Sequence, residues 1–388
     1  MKKIITNRRL LIVLVGFLFC AINISASGFF CSAQNRLSIY RARVISVDNE
    51  LLSLDPLVQG MYLGRQVVEV EVLEGIHAGS ILQFENIITR FFNHLSREGM
   101  TILVNIISES VMGGADGETI IIHTEMFGHS REGFMFGFIG LFFLVLIAVG
   151  RKKGLYSAIS LLFTISTVIF FMLPFILRGH SPVLIAVITA LLTMVFSIFM
   201  ISDISMKSFA AIGGTFAGVT AAGIISVVAG RLAHISGMQM DHAEEVIFRV
   251  GRTAWDETII VHVPQLLSAG IIIAALGAVM DVGMSISSAV FEIKELTPNA
   301  KVKRLYQSGM NIGRDIMGTM TNTLILAFAG SSITALVVIA LYRLPYIRFI
   351  NLNMLAVEVI QGLSATIGLI LTVPITAILA AVLAHKSK

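Results

Sequence analysis

Asp281 is the side chain in this sequence best placed to do chemistry, because it interrupts an otherwise uncharged stretch from about residue 264 to residue 290. A carboxylate at the centre of a membrane helix costs about 3 kcal/mol on insertion scales, so it usually faces a partner or a task. On a helix, Ser285, Ser288 and Glu292 share a face with Asp281. The pattern predicts a polar stripe that binds a solute or carries protons. The alternative is a protonated Asp281 that hydrogen-bonds to Ser or Asn and holds helices together.

Two further segments carry polar residues at a similar predicted depth. Thr215 follows Gly213 and Gly214 in a sequence whose glycines allow a close helix crossing. Thr319 and Asn322 share one helical face with Asp315. We therefore expect one cavity in the inner half of the membrane, lined by Thr215, Asp281, Ser285, Thr319 and Asn322. We expect four charged residues to support it at the cytoplasmic edge: Asp203, Glu292, Arg314 and Asp315.

Enzymatic motifs are missing from the sequence. It contains no HExxH, GxSxG or P-loop, and the residues before Asp281 are not the GxGD of intramembrane aspartyl proteases. A two-carboxylate site made of Asp203 and Asp281 is the remaining catalytic option. The histidines fall mostly in predicted outer regions without a recognised ligand spacing. We therefore expect no enzymatic activity, no cofactor and no bound metal.

The composition indicates that membrane helices position these residues. Charged residues make up 13% of the 388 residues, against roughly 25% in soluble proteins. A bilayer core of about 30 Å takes about 20 apolar residues of helix. Stretches without charge occur at 10–35, 133–150, 154–177, 179–202, 208–230, 316–342 and 359–384, and the stretch interrupted by Asp281 is the eighth. The sequence therefore predicts a polytopic α-helical membrane protein with about eight hydrophobic segments.

The basic residues predict the orientation in the plasma membrane, because Lys and Arg concentrate in short cytoplasmic loops. With the N-terminus inside, the inner segments hold 15 of the 28 basic residues and the short outer loops hold 6. We therefore expect cytoplasmic ends at residues 1–9 and 386–388. Residues 133–385 form a predicted seven-helix bundle with a cytoplasmic loop at 291–318.

Residues 31–132 have a different pattern and are net acidic without any Lys, which places them outside the cytoplasm. Five stretches alternate apolar and polar residues with a period near two, as half-buried strands do. They are Ile39–Val47, Gln66–Glu74, Ser80–Ile87, Met100–Ser108 and Glu118–Thr124. They predict a small extracytoplasmic β domain, possibly an OB-like barrel. It is either a structural cap or a ligand-binding module, and its acidity disfavours nucleic acid.

The first hydrophobic segment, residues 10–30, fits two functions. A basic region precedes it, and Ser25-Ala26-Ser27 resembles the cleavage site of a signal peptide. The uncharged run continues through Phe29 and Phe30 and is long enough to span a bilayer. Residues 10–30 are therefore an uncleaved signal anchor or a cleaved signal peptide.

Four stretches resemble the YibE/YibF-like family of bacterial multi-pass membrane proteins. They are GIIIAALGAVMDVGMSISS at 270–288, GRDIMGTMTNTLILA at 313–327, KSFAAIGGT at 207–215 and GRKKG at 150–154. The chain looks like the YibE-type member, which has an extracytoplasmic domain before the helices. The resemblance marks Asp281, Arg314, Asp315 and Asn322 as family positions and implies no established activity. It implies a related YibF-type membrane protein as a possible partner.

We interpret the sequence as a plasma-membrane permease or transporter component. A cavity around Asp281 would bind a small polar or cationic solute, and protonation of Asp281 would couple transport to the proton gradient. The alternative is a non-transporting envelope scaffold or sensor, whose outer β domain binds a partner while the helices anchor it. In either case we expect the protein to lie in the lipid bilayer. We expect it to associate either with the related YibF-type protein or with further copies of itself as a homo-oligomer.

Overall fold

The computed structural model describes residue 16 and residues 39–113, 117–240, 243–249 and 260–386, with only the backbone described at 108–113, 117–122 and 249. The chain forms two compact units that divide between Val145 and Leu146. The predicted segment 10–30 lies outside the described residues except for Gly16, which is helical. The predicted N-terminal residues 1–9 lie outside them as well.

A six-stranded antiparallel sheet precedes the helices. Its strands are β1 Ile39–Asp48, β2 Leu52–Leu54, β3 Tyr62–Val72, β4 Ile81–Ile88, β5 Thr101–Gly113 and β6 Gly117–His129. The five predicted strands are confirmed. The short strand β2 is an addition, and it pairs with the first residues of β3 while β1 pairs with the last ones.

The sheet is a half-barrel in which β4, β3, β1, β5 and β6 follow one another as neighbours. The register shifts once between β1 and β3 and once between β5 and β6, where Ile45 of β1 and Phe127 of β6 are the extra residues. Such β-bulges bend the strand that carries them. Val68, Val70 and Val72 are buried on the inner face of β3, where they pack against apolar residues of β1 and β5. The alternation of apolar and polar residues in β3 therefore reflects one buried face and one exposed face.

Two buried amides join the half-barrel to the segment that follows β4. Gln66 donates from Nε2 to the carbonyl oxygen of Ser96 at 3.2 Å and accepts from its backbone N–H at 2.9 Å. Asn86 donates from Nδ2 to the Gln66 Oε1 at 3.2 Å and to the His94 carbonyl at 2.8 Å. Buried amides need such partners to be stable. These bonds hold residues 94–96 against β3 and β4.

From Glu132 onwards, the described residues form ten α-helices. They are α1 Glu132–Thr167, α2 Leu173–Leu177, α3 Pro182–Ser202, α4 Met206–Leu232, α5 Ala243–Arg249, α6 Leu266–Leu296, α7 Val302–Ser331, α8 Ile333–Leu341, α9 Tyr346–Ile350 and α10 Asn353–Lys386. A π-helical stretch, Val168–Met172, joins α1 to α2, and 3₁₀ turns lie at Gly237–Gln239 and Val263–Gln265.

Five helical stretches of the described chain are long and apolar enough to cross a membrane, and α7 with α8 makes a sixth if that pair, bent by 58°, is one span. The predicted segments from 133 onwards all fall on helices. The connection between α6 and α7 is only residues 297–301, where the sequence predicts a loop at 291–318. Both helices continue beyond the apolar residues, because Glu, Lys, Arg and Gln are good helix formers.

Arg151 divides α1 into two helical parts. Its backbone is non-helical, with φ 49° and ψ −126°. The carbonyl oxygen of Leu146 lies where a Cβ on Gly154 would stand, so the chain turns back on itself between these residues. A straight helix over the 46 residues Glu132–Leu177 would measure about 69 Å, roughly twice the thickness of a bilayer core. The turn is consistent with the two predicted segments 133–150 and 154–177.

Helix α10 is central to the bundle and packs against α4, α6 and α7. Gly214 and Gly218 on α4 face Thr376 and Thr372 on α10, so the two helices run antiparallel. A Cβ on either glycine would overlap the facing threonine. Small residues allow such close crossings between membrane helices, where the hydrophobic effect contributes little.

Candidate functional site

Thr215 lies inside the bundle where α4 crosses α6. Its side chain is fully buried, and its Oγ1 would be 2.6 Å from a Cβ on Gly283 of α6. The Oγ1 atoms of Thr215 and of Thr376 on α10 are both buried without a hydrogen-bond partner among the described residues. Thr215 therefore occupies a tight helix crossing.

Asp281 and Ser285 lie on the opposite side of α6. Both are exposed, whereas Val282, Gly283 and Ile286 on the same helix are buried against the bundle. Gly277, one turn earlier on the Asp281 face, has no atom of the described chain within 4 Å of an added Cβ. The predicted stripe thus exists as a helical face, and it points away from the helices that pack on α6.

Thr319 and Asn322 lie on the exposed side of α7. Gly309 of α7 contacts Val290 of α6, and Gly313 contacts Ile286. The two helices are therefore antiparallel, and one further turn brings residues near 318 level with Asp281. The Thr319 hydroxyl donates to the Ile316 carbonyl of its own helix at 2.9 Å.

Asp281 and Ser285 on α6 and Thr319 and Asn322 on α7 are exposed polar residues at similar levels of two antiparallel helices, and we refer to these four residues as the α6–α7 polar face. Because Thr215 is buried elsewhere, the five predicted residues do not line one enclosed cavity within the described part of the chain. A solute or proton site at these residues stays a prediction. On the α6–α7 polar face it would be a groove open to whatever lies beside the two helices.

Three of the charged residues expected to support the site also lie on exposed surfaces. Glu292 continues the stripe of Asp281 by three turns, and Arg314 and Asp315 lie on α7. The Arg314 guanidinium donates to the Asn311 Oδ1 at 3.4 Å. Asp203 is elsewhere, at the end of α3, with a left-handed φ of 62°. Ser208, in the first turn of α4, donates its hydroxyl to the Asp203 carbonyl.

A cavity of about 440 Å³ lies at the other end of α6, where α3 begins and α4 ends. We name it the Arg231 pocket. Its polar lining consists of Ser226, Arg231, His234, Ser236, Gln265 and Ser268. Arg231 and His234 are exposed, whereas Ser226 and Ser268 are buried, so the pocket leads from the surface towards the interior of the bundle.

Hydrogen bonds order the polar groups of the Arg231 pocket. Ser226 on α4 donates to the Ser268 Oγ on α6 at 2.7 Å. Ser181, just before α3, donates to the Gln265 Oε1 at 2.6 Å. The sequence interpretation did not single out this group, because its members come from four separate segments. Pairs of hydroxyls at corresponding depths of neighbouring spans, such as Ser226 and Ser268, are the signal that points to it.

A second carboxyl group within the bundle is that of Glu358, near the start of α10. Its Oε2 atom is buried and has no hydrogen-bond partner among the described residues. The apolar stretch predicted at 359–384 begins one residue later, so the sequence interpretation left Glu358 outside the membrane. Helix α10 begins earlier, at Asn353, and includes it.

Comparison with known proteins identifies the helical part of the chain. No curated protein matches the sequence, and no solved structure matches the fold. A family model described as YibE/F-like protein matches residues 138–386, which run from α1 to the last residue of α10. The match contains both the α6–α7 polar face and the Arg231 pocket and leaves the half-barrel outside. Because the matched region is more than half of the 388 residues, the chain belongs to the YibE/F-like family.

Proposed function

We propose that the protein is a permease or transporter component for a small polar or cationic solute. The observation that carries this proposal is Asp281, an acidic residue with an exposed side chain in a helix that is long and apolar enough to cross a membrane. Ionisable residues in membrane spans are costly and usually serve ion, proton or solute pathways. A negative charge at this position attracts a cation, and its protonation would release one.

The two polar regions along α6 support a role in transport. The Arg231 pocket lies at its first turn and the Asp281 stripe lies in its second half. Ser268 and Asp281 are separated by about 20 Å along the helix axis at 1.5 Å per residue. A solute path across a bilayer needs polar groups on both sides of the apolar centre, and α6 supplies them.

The proposal also includes a second membrane protein surface that covers the α6–α7 polar face. In a bilayer, Asp281 and Asn322 would face lipid at a high energetic cost unless another polar surface covers them. A second copy of this chain, or the related YibF-type membrane protein, would cover them and complete the groove. We place the protein in the bacterial plasma membrane with both termini cytoplasmic and residues 31–132 outside, as the distribution of basic residues predicts.

A transport assay on Asp281→Asn tests the proposal. The full chain is reconstituted in vesicles with a pH gradient, and K⁺, choline and putrescine are each supplied while an internal dye reports pH. We expect at least one of them to change the internal pH with the unaltered protein and the change to fall to background with Asp281→Asn. Abundance should stay normal, because Asp281 is exposed and Asn has nearly the same size.

Glu295→Gln is the matched control, because it removes an exposed carboxylate from the last turn of the same helix. It should leave the pH change intact. Equal activity of Asp281→Asn and the unaltered protein would refute coupling through Asp281. Loss of abundance in Asp281→Asn alone would instead support a packing role.

The half-barrel supports a second function, that of an envelope scaffold or sensor. Phe91 and Phe92, between β4 and β5, expose 93% and 68% of their surface, and a partner would cover these two aromatic side chains. For a scaffold, deletion of residues 36–130 should abolish cellular function while Asp281→Asn is silent. For a permease, Asp281→Asn should abolish function in cells and in vesicles.

A further inference from the structure

We propose that the Arg231 pocket binds a small molecule through an oxyanion group, either a carboxylate or a phosphate. The inference goes beyond the proposed transport of a polar or cationic solute and does not depend on it. It concerns a different end of α6 and a ligand of opposite charge. The evidence is the charge, the depth and the hydrogen-bonding groups of the cavity.

The charge of the lining favours an anion. Arg231 is the charged residue of the lining, His234 adds an imidazole, and no carboxylate lines the described part of the cavity. The Arg231 guanidinium forms no ion pair or hydrogen bond with any other described residue, so none of those residues occupies its five N–H donors. A guanidinium binds carboxylate and phosphate through two parallel hydrogen bonds, which makes Arg the common residue for this task.

Neutral donors line the deeper part of the cavity. Ser226 donates to Ser268, which leaves the Ser268 hydroxyl hydrogen for another acceptor. The Ser181 hydroxyl donates a hydrogen bond to Oε1 of Gln265. The Gln265 Nε2 has no acceptor among the described residues. An amide N–H and a hydroxyl therefore face a ligand whose oxyanion contacts Arg231 and His234.

Size limits the ligand to a small molecule. A volume of about 440 Å³ lies in the lower part of the range of ligand pockets, about 300–1,000 Å³. The apolar lining, which includes Val183, Ile235 and Leu267, suits a short aliphatic portion. A small carboxylic acid, a small phosphate ester or the headgroup of an anionic lipid meets these requirements.

Titration of the purified full chain in neutral detergent with inorganic phosphate and with succinate tests the proposal. Calorimetry gives Kd, and the midpoint of thermal unfolding gives stabilisation by mass action. We expect saturable binding of at least one anion beyond that of chloride at equal ionic strength. Arg231→Gln and His234→Gln should each weaken it about tenfold or more, since hydrogen bonds to charged groups are the strong ones.

Arg348→Gln is the matched control, since it removes an exposed arginine from α9, outside the lining, and it should bind as the unaltered chain does. Arg231 also lies in the last turn of α4, where a cation stabilises the helix end. Arg231→Lys keeps that charge and should bind measurably more tightly than Arg231→Gln. Absence of binding in the unaltered chain, or equal loss in Arg231→Gln and Arg348→Gln, would overturn the proposal.

Reconstitution in two lipids distinguishes the sources of the oxyanion. In nanodiscs of phosphatidylcholine, the soluble anions should bind as they do in detergent. With both lipids compared at a high ionic strength that screens the membrane charge, loss of that binding in phosphatidylglycerol nanodiscs would assign the pocket to the headgroup of an anionic lipid, and retention would assign it to a soluble ligand. Both outcomes keep the oxyanion site. The readout is binding, so a failure of transport leaves it unaffected.

Discussion

Asp55 illustrates how one buried carboxylate is stabilised in this protein. Its side chain has no exposed surface. The Arg90 guanidinium donates to both of its oxygens, at 2.5 and 3.1 Å, and the backbone N–H of Leu57 donates at 2.8 Å. These hydrogen bonds, led by that of Arg90, lower the pKa of Asp55 to about 2. The charged form of Asp55 therefore holds the turn after β2 to the end of β4.

The lowered pKa of Asp55 predicts acid sensitivity of the half-barrel. Because the folded pKa lies below the unfolded value, the stabilisation is complete above about pH 4 and is lost as pH falls towards about 2. Between those pH values, the protection factors of amides in β3 and β4, which compare each exchange rate with that of the unfolded chain at the same pH, should fall in the unaltered protein. The fall should be smaller in Asp55→Asn, which has no charge to lose.

Asp48→Asn is the control for this prediction, because Asp48 is an exposed carboxylate that accepts, among the described residues, one hydrogen bond, from the backbone N–H of Glu50 at 2.9 Å. It should behave as the unaltered protein does. If Asp55→Asn shows the same acid response as Asp48→Asn, Asp55 does not cause it.

Among the elements, the crossing of α4 and α10 is the most constrained by residue size. Gly218 faces the Thr372 Oγ1. A Cβ added to Gly218 would lie 2.9 Å from the carbonyl oxygen of Gly368. Gly277 on α6 has the same residue type and helical conformation but no neighbour within 4 Å of that position. The two glycines therefore differ in tertiary contact alone, which makes them a matched pair.

Gly218→Ala should destabilise the bundle, because the added methyl group forces α4 and α10 apart. Overpacking of this kind costs roughly 1–3 kcal/mol. We expect a lower midpoint of thermal unfolding in detergent and less monodisperse protein. Gly277→Ala should match the unaltered protein in both measurements. Equal effects of the two substitutions would show that the crossing does not require glycine.

At the scale of the whole molecule, the arrangement of α6 and α7 leaves polar groups on the outside of an otherwise apolar bundle. The bundle also exposes Leu326, Leu336 and Leu363, as expected for residues that face lipid. Polar and apolar surfaces of this kind are compatible with one membrane protein only if the polar face meets another polar surface or water. The cover for the α6–α7 polar face is therefore a property of the assembled protein and is not supplied by the described part of the single chain.

The predicted orientation can be measured by thiol labelling. In a variant whose Cys20 and Cys31 are replaced by Ser, a single cysteine is introduced at Glu50 or at Lys301, both of which are exposed. A membrane-impermeant maleimide should label Glu50→Cys in intact cells, because the β domain is predicted outside. Lys301→Cys should react only after the membrane is permeabilised. Labelling of both from outside would contradict the predicted topology.

The sequence by itself determined the secondary structure of both parts, because strand and helix leave different periods in the order of apolar residues. The alternation in Gln66–Glu74 predicted β3 to within four residues at its start and two at its end. The uncharged runs predicted the long helices, because a bilayer sets the length of apolar helix that it accepts. The short strand β2 was missed, since three residues carry no detectable period.

Only the tertiary structure decided which way each helical face points. The spacing of Asp281, Ser285 and Glu292 fixes a shared face but not its direction, because direction depends on which neighbours pack on the other sides of α6. Thr215 and Asp281 have similar predicted depths, yet packing buries the first and exposes the second. The Arg231 pocket also arises from packing, since it joins the ends of three helices that are distant in the sequence.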